Sequence, residues 1–121
     1  METLQNNFTI PNKNFTVAKK HVNNNNALLP SMLYTEMTHF IKNVVSSTNN
    51  TSFTTPQLVK LHILKNAFLN DNLLFSGQLK KLNDTEMNIM VLVKQKNKSK
   101  NSTVCKAVFS IQLIKNTLIA S

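Results

Sequence analysis

Apolar residues recur along this chain with two different periods, and the switch between them sets the expected architecture. Leu29, Met32, Leu33, Met37, Phe40, Ile41 and Val44 return every three or four positions and so share one face at helical spacing. A helix is therefore predicted from about Ala27 to Val45. Asn26 is its expected N-cap, and Pro30 falls in the first turn, where a missing N–H is tolerated. The polar run from Ser46 to Ser52 ends the helix and reads as a loop with little reason to pack.

After Pro56 the period shortens to two. Val59, Leu61 and Ile63 alternate with Lys60 and His62, as in a half-buried strand. Leu73 to Leu82 reads as a second strand between the turns Asn70-Asp71-Asn72 and Asn83-Asp84, with Gly77 marking a bulge or a close approach. Met87 to Val93 is nearly continuous in apolar residues, the pattern of a central strand. Lys94 to Lys100 reads as a polar turn, and Cys105, Ala107, Phe109, Ile111 and Leu113 then alternate with polar residues in a last strand. Phe15 to Ala18, following Pro11, has strand character as well. The expected order is strand, long helix and four strands joined by turns, an α+β domain in which an antiparallel meander is covered by one helix. One helix covers such a sheet incompletely, so a homodimer or higher homo-oligomer is expected.

At 121 residues the chain is one domain, with no internal repeat and no second-domain linker. The ordered domain is expected over residues 8–115, with residues 1–7 and 116–121 as terminal extensions. No apolar run approaches the ~20 residues of a membrane span, and Met1 to Asn7 lacks a basic-then-apolar signal. Cys105 is the single cysteine. A cytoplasmic location without disulfides is the expectation.

The net charge of +9 raises the question of nucleic acid, yet all the basic residues are Lys. Without Arg there is no fork to read guanine edges or grip phosphates bidentately. The lysines are also dispersed, so nucleic acid is not the expected partner. Polyanions such as coenzyme A or an acidic carrier protein suit such a surface equally well. The one glycine excludes Gly-rich phosphate loops and dinucleotide fingerprints. His21, His39 and His62 lack metal-ligand spacing, so neither a metal nor a cofactor is expected.

Glu36 stands out because it interrupts the apolar helical stripe, where a carboxylate must be paired, sit at a seam, or serve chemistry. Its plainest alternative role is an ion pair with a Lys. Upstream, His21-Val22-Asn23-Asn24-Asn25-Asn26 delivers the chain into the helix, so that His21, Asn23 and Glu36 are expected to meet near the helix start. These three are the candidate catalytic residues.

Strand, central helix and four antiparallel strands is the order of the hot-dog fold, which this chain resembles from about Phe8 to Ile114. His21-Val22-Asn23-Asn24, between strand and helix, resembles the His-x-Asn segment of hot-dog acyl-CoA thioesterases. Phe8-Thr9-Ile10 through Asn23 is similar to the opening of the long-chain fatty acyl-CoA thioesterase (FcoT-like) group. Leu29-Pro30-Ser31-Met32-Leu33-Tyr34-Thr35-Glu36 resembles the Pro-Gly-x-Leu-x-x-Glu helix of beta-hydroxyacyl-carrier-protein dehydratases, with Ser31 in place of the Gly. The thioesterases' Gly-Gly pair at the helix start is missing too.

The resemblance implies an enzyme acting on acyl-CoA or acyl-carrier-protein thioesters. In hydrolysis Glu36 would be the base for water, or the nucleophile, and Asn23 or Asn24 would position water or carbonyl. Free N–H groups near Ala27 and Leu28 would stabilise the oxyanion, and Met32 and Tyr34 would line the substrate. In dehydration His21 would remove the alpha proton of a 3-hydroxyacyl thioester and Glu36 would protonate the leaving hydroxyl. The Asn-rich segment favours hydrolysis. A non-catalytic acyl-thioester binding module is the further alternative.

Overall fold

The computed structural model describes residues 10–46, 51–96 and 102–115. Along the chain run β1 (Lys13–Thr16), a single 3-10 turn (Lys19–His21), α1 (Pro30–Ser46), β2 (Thr51–Phe53), β3 (Gln57–Ile63), β4 (Asn72–Leu82), β5 (Glu86–Gln95) and β6 (Ser102–Lys115). The strands join one antiparallel sheet in the order β1, β4, β5, β6, with β2 and β3 both pairing the far side of β6.

Three expectations are corrected here. The four later strands are not a sequential meander: β4, β5 and β6 are, but β3 pairs with β6, and β4 gives its other edge to β1. The cause lies in the β3–β4 connection, which is tied to the segment entering the helix. The Leu28 N–H donates to the Ala67 carbonyl, Leu69 N–H donates to Asn26, and Ala27 bridges Phe68. A connection held there carries β4 away from β3. The second correction is the helix start, which falls at Pro30 rather than Ala27. Asn26 adopts a left-handed φ of 63°, a turn position, and it is the Leu29 carbonyl that accepts from Met32 and Leu33. The third is β2, which occupies part of the segment read as a loop. It is three residues long and pairs with Leu113 to Lys115, too short to show a period of its own.

Alternation within the sheet fixes its inner face. Leu73 and Phe75 on β4, Met87, Ile89, Val91 and Val93 on β5, and Cys105, Ala107, Phe109 and Ile111 on β6 are all buried. They pack against Leu33, Met37, Phe40, Ile41 and Val44 of α1. Phe75 makes edge contacts with both Phe40 and Phe15, at 6.0 and 5.8 Å between ring centres. Gly77 is a point of close approach to the sheet's inner face. A Cβ there would lie 2.8 Å from a methyl of Ile10 and 3.3 Å from the Phe40 ring, so the close-approach reading of this glycine holds and a bulge at Gly77 does not. The bulge in β4 comes later, between Leu79 and Lys81.

At 100° per residue, the two flanks of α1 carry different side chains. Glu36 and Asn43 lie on the flank towards β1, where Glu36 meets Lys13. Tyr34 and Thr38 lie on the flank towards β6, where the Tyr34 ring sits 6.1 Å from that of Phe109. Beyond that flank the sheet continues without cover. Leu58, Leu61 and Ile63 of β3 stand opposite Phe109, Ala107 and Cys105 and therefore face the helix side. They remain 36, 43 and 43% exposed.

Candidate active site

The site is built from the segment that leads out of β1 into α1. After β1, the 3-10 turn folds back so that His21 N–H donates to the Ala18 carbonyl at 2.9 Å. In return the Ala18 N–H donates to His21 Nδ1, also at 2.9 Å. The His21 carbonyl accepts from Leu29 N–H at 2.9 Å, and the imidazole lies 4.8 Å from the Phe15 ring. His21 is buried, at 6% exposure. Backbone on both sides and an aromatic ring hold it in place.

Asn23 organises the next turn. Its side-chain Oδ1 accepts from the N–H groups of Asn25 and Ala27 at 2.8 and 3.1 Å, and its backbone exchanges bonds with Asn26 and Ala27. With Oδ1 occupied, what remains of the Asn23 side chain is its NH₂ group, a donor. Asn24 is exposed in the same turn.

The amides expected to face an oxyanion are corrected. The Ala27 N–H is taken by Asn23 Oδ1 and that of Leu28 by the Ala67 carbonyl. Because the helix begins at Pro30, which has no N–H, and Met32 and Leu33 both donate to Leu29, the Ser31 N–H is the first-turn amide left open among the described residues. Nothing in the sequence marks it until the true helix start is known.

Glu36 lies one and a half turns further along. Its side chain is 19% exposed, and a carboxylate oxygen lies 3.6 Å from Lys13 Nζ. Lys13 and Phe15 are two residues apart on one face of β1, in register with Phe75 and Leu73. Two residues of strand span roughly 7 Å. The Lys13 end of β1 thus meets Glu36 and the Phe15 position meets His21, which brings the two candidate groups to the same flank of the helix. Met32, half-buried, is on this flank by helical angle. Tyr34 is not; it is 39% exposed on the opposite flank. Lys13 was missed in the sequence, although its alternation with Phe15 and Val17 is a legible sign that it points inward.

A cleft of about 260 Å³ continues along the Glu36 flank, lined by Pro11, Asn12, Lys13, Phe40, Asn43 and Val44. Lys13 belongs to both the cleft and the ion pair, and Phe40 is one turn beyond Glu36. The cleft is open and mostly apolar, with Asn12, Asn43 and Lys13 as its polar groups.

The other acidic side chains among the described residues are engaged elsewhere. Asp71 accepts from Phe68 N–H, and Glu86 from Lys81 and Ser110. Cys105 is fully buried, and burial pushes its thiol up to about 11, which leaves it inert near neutral pH. Among the described residues, no three His, Cys, Asp or Glu side chains gather as metal ligands would. No helix among the described residues is long and apolar enough to cross a membrane.

No protein-family model matches the chain, and no curated protein matches it in sequence. Solved structures do match in fold. The acyl-CoA hydrolase of Staphylococcus aureus, solved in complex with butyryl coenzyme A and coenzyme A, superposes with a TM-score of 0.80 at 12% identity over 88% of this chain and 66% of that one. This chain thus spans just under two thirds of the Staphylococcus protein. The hexameric thioesterase y2039 of Yersinia pestis gives a TM-score of 0.75 at 15% identity, covering 86% of each chain. A hexameric broad-specificity acyl-coenzyme A thioesterase gives 0.73 at 16% identity, covering 86% of this chain and 74% of that one. One helix laid on an antiparallel sheet, in this strand order and with these neighbours, is the hot-dog fold.

Proposed function

We propose that the protein hydrolyses acyl thioesters of coenzyme A or a carrier protein, as a homodimer or higher homo-oligomer, with Glu36 as general base. The observation that carries this reading is the arrangement along β1, where Lys13 and Phe15 bring Glu36 and His21 to one flank of the helix start. The neighbouring structures of an acyl-CoA hydrolase and an acyl-coenzyme A thioesterase support the reaction class.

In this reading the Glu36 carboxylate takes a proton from water, whose oxygen attacks the thioester carbon. The C–S bond then breaks, the thiolate recovers the proton, and a carboxylic acid and a free thiol leave. The Asn23 NH₂ orients the water or the carbonyl. The Ser31 N–H, at the positive end of α1, faces the developing oxyanion. Asn24 flanks the entrance, Met32 contacts the acyl chain, and Tyr34 meets substrate from the β6 side. As a nucleophile instead of a base, Glu36 would pass through an anhydride, with the same products.

Oligomerisation is supported by β3. Its Leu58, Leu61 and Ile63 form an apolar strip on the helix side. Among the described residues its second edge is unpaired, and such an edge invites another strand.

The test is turnover on a panel of acyl-CoA and 3-hydroxyacyl-CoA substrates and their carrier-protein counterparts. Wild type should release free thiol, and Glu36→Gln, which keeps the shape and removes the base, should lower the rate by about 10²–10⁴. Enoyl absorbance without thiol release would replace hydrolysis by 3-hydroxyacyl dehydration. Ligand binding without turnover on any substrate would leave a binding module.

A further inference from the structure

His21 is tied by a bond whose direction decides what the ring can do. Since the Ala18 amide donates to Nδ1 at 2.9 Å, Nδ1 is the acceptor, and the neutral ring carries its proton on Nε2. The bond is one half of a reciprocal pair, because His21 N–H donates back to the Ala18 carbonyl. Contact with Phe15 and the Leu29 bond to the His21 carbonyl leave the ring little freedom to turn. No buried side-chain nitrogen or oxygen among the described residues lacks a partner. Nε2 takes no hydrogen bond from the described residues.

We infer that the Ala18 amide is a positioning group that fixes His21 as a hydrogen-bond donor through Nε2–H, so that His21 binds the thioester carbonyl oxygen rather than abstracting a proton. The inference rests on the hydrolytic reading above and assigns His21 the electrophilic role within it. A base at this position needs a bare nitrogen facing the substrate, and the only bare nitrogen of the neutral ring is the one already held by Ala18. A donor needs Nε2–H pre-aimed in a site that is partly closed to water, which is the form of transition-state stabilisation that loses least to reorganisation. The same tautomer is unsuited to removing an alpha proton, so it also separates hydrolysis from dehydration.

Two measurements test it, and they fail independently of each other. In ¹⁵N-labelled wild type, NMR should show a scalar coupling across the hydrogen bond from the Ala18 amide nitrogen to His21 Nδ1, with the ring proton on Nε2. Absence of that coupling, or a proton on Nδ1, overturns the inference whatever the enzyme does. Among variants, the amide nitrogen of a glutamine can stand in for Nε2 as a donor but cannot act as a base. His21→Gln should therefore keep kcat within about tenfold of wild type, whereas His21→Ala should lose about 10²–10³ in kcat, the loss typical of one oxyanion donor. Circular dichroism of both variants checks that they fold. If His21→Gln is as inactive as a folded His21→Ala, the donor role is wrong. A wild type that turns over no thioester overturns the hydrolytic reading itself, and the role with it, even where the coupling is present.

Discussion

Replacing Leu61 by Glu puts a carboxylate at the centre of the apolar strip that β3 presents beside the helix. Leu58, Leu61 and Ile63 retain 36 to 43% of their surface there. Full burial of such a side chain is worth about 1.5–3 kcal/mol, so covering what is still exposed gives roughly 1 kcal/mol each, or about 6 kcal/mol for three residues from each of two copies. Association costs about 4–15 kcal/mol in lost freedom, so the strip works together with backbone pairing along the β3 edge. Leu61→Glu removes about 2 kcal/mol of apolar burial across the two copies, and it also forces two charges out of water at a cost of several kcal/mol more. A total of at least about 4 kcal/mol corresponds to a dissociation constant raised by about 10³. Sedimentation equilibrium over a concentration series reads this against the 13.7 kDa monomer. His62→Glu is the control, because His62 pairs with Lys106 on the other face of the same strand. Wild type should be at least dimeric, His62→Glu should match it, and Leu61→Glu should dissociate. A Leu61→Glu variant that associates like wild type, or a His62→Glu variant that dissociates equally, would refute the assignment of this face.

Two further predictions concern the core. Burial raises Cys105 from 9.0 to about 11, so the folded state keeps a proton that the unfolded chain releases. The stability this provides is complete below pH 9 and is lost as pH rises from 9 towards 11, by roughly 2–3 kcal/mol in all. Urea midpoints of wild type and Cys105→Ala should converge across that window, with a constant gap counting against the reasoning. Gly77→Ala should destabilise by about 1–2 kcal/mol because the new methyl meets Ile10 and Phe40. Ile10→Ala in the same chain should recover part of that loss, and strict additivity in the double-mutant cycle would show that Ile10 is not the obstacle.

What the sequence made legible follows from which forces act locally. The helix, the strands from β4 to β6 and the β4–β5 turn are written in period and turn chemistry, and Asn83, whose Oδ1 accepts from Thr85 and Glu86, is a turn of the kind expected. The turn expected over Lys94 to Lys100 lies largely outside the described residues. Cys105 in the core and His62 on the strand face away from the helix also follow from alternation, although all of β3, Val59, Leu61 and Ile63 included, is exposed rather than half-buried. Pairing partners do not. That β3 joins β6 depends on hydrogen bonds between Ala67 to Leu69 and Asn26 to Leu28, residues some forty positions apart that carry no common pattern. The helix start was misread for a similar reason. Asn26 has an N-cap's chemistry, but the turn closed by Asn23 and the bridge to Phe68 use it at a left-handed φ instead. The oxyanion donors shift with it, from Ala27 and Leu28 to Ser31.

The position of β1 ties these corrections to the site. Had β3 paired with β4, as a simple meander requires, β1 would have no place beside β4. Lys13 would then not reach Glu36, nor Phe15 the His21 ring. By taking β3 to the far side of β6, the fold does two things at once. It frees the β4 edge for the strand that gathers the candidate catalytic groups on one flank of α1. It also leaves the opposite flank, with Tyr34 above Phe109, bordered by the uncovered strip of Leu58, Leu61 and Ile63. A second copy seated on that strip would adjoin the Tyr34 flank and leave the Lys13–Glu36 flank outside the seam. Dissociation by Leu61→Glu should therefore weaken the substrate contact at Tyr34, read as a rise in KM, more than it slows the chemical step at Glu36. A loss of kcat would instead mean that the partner copy completes the catalytic group itself.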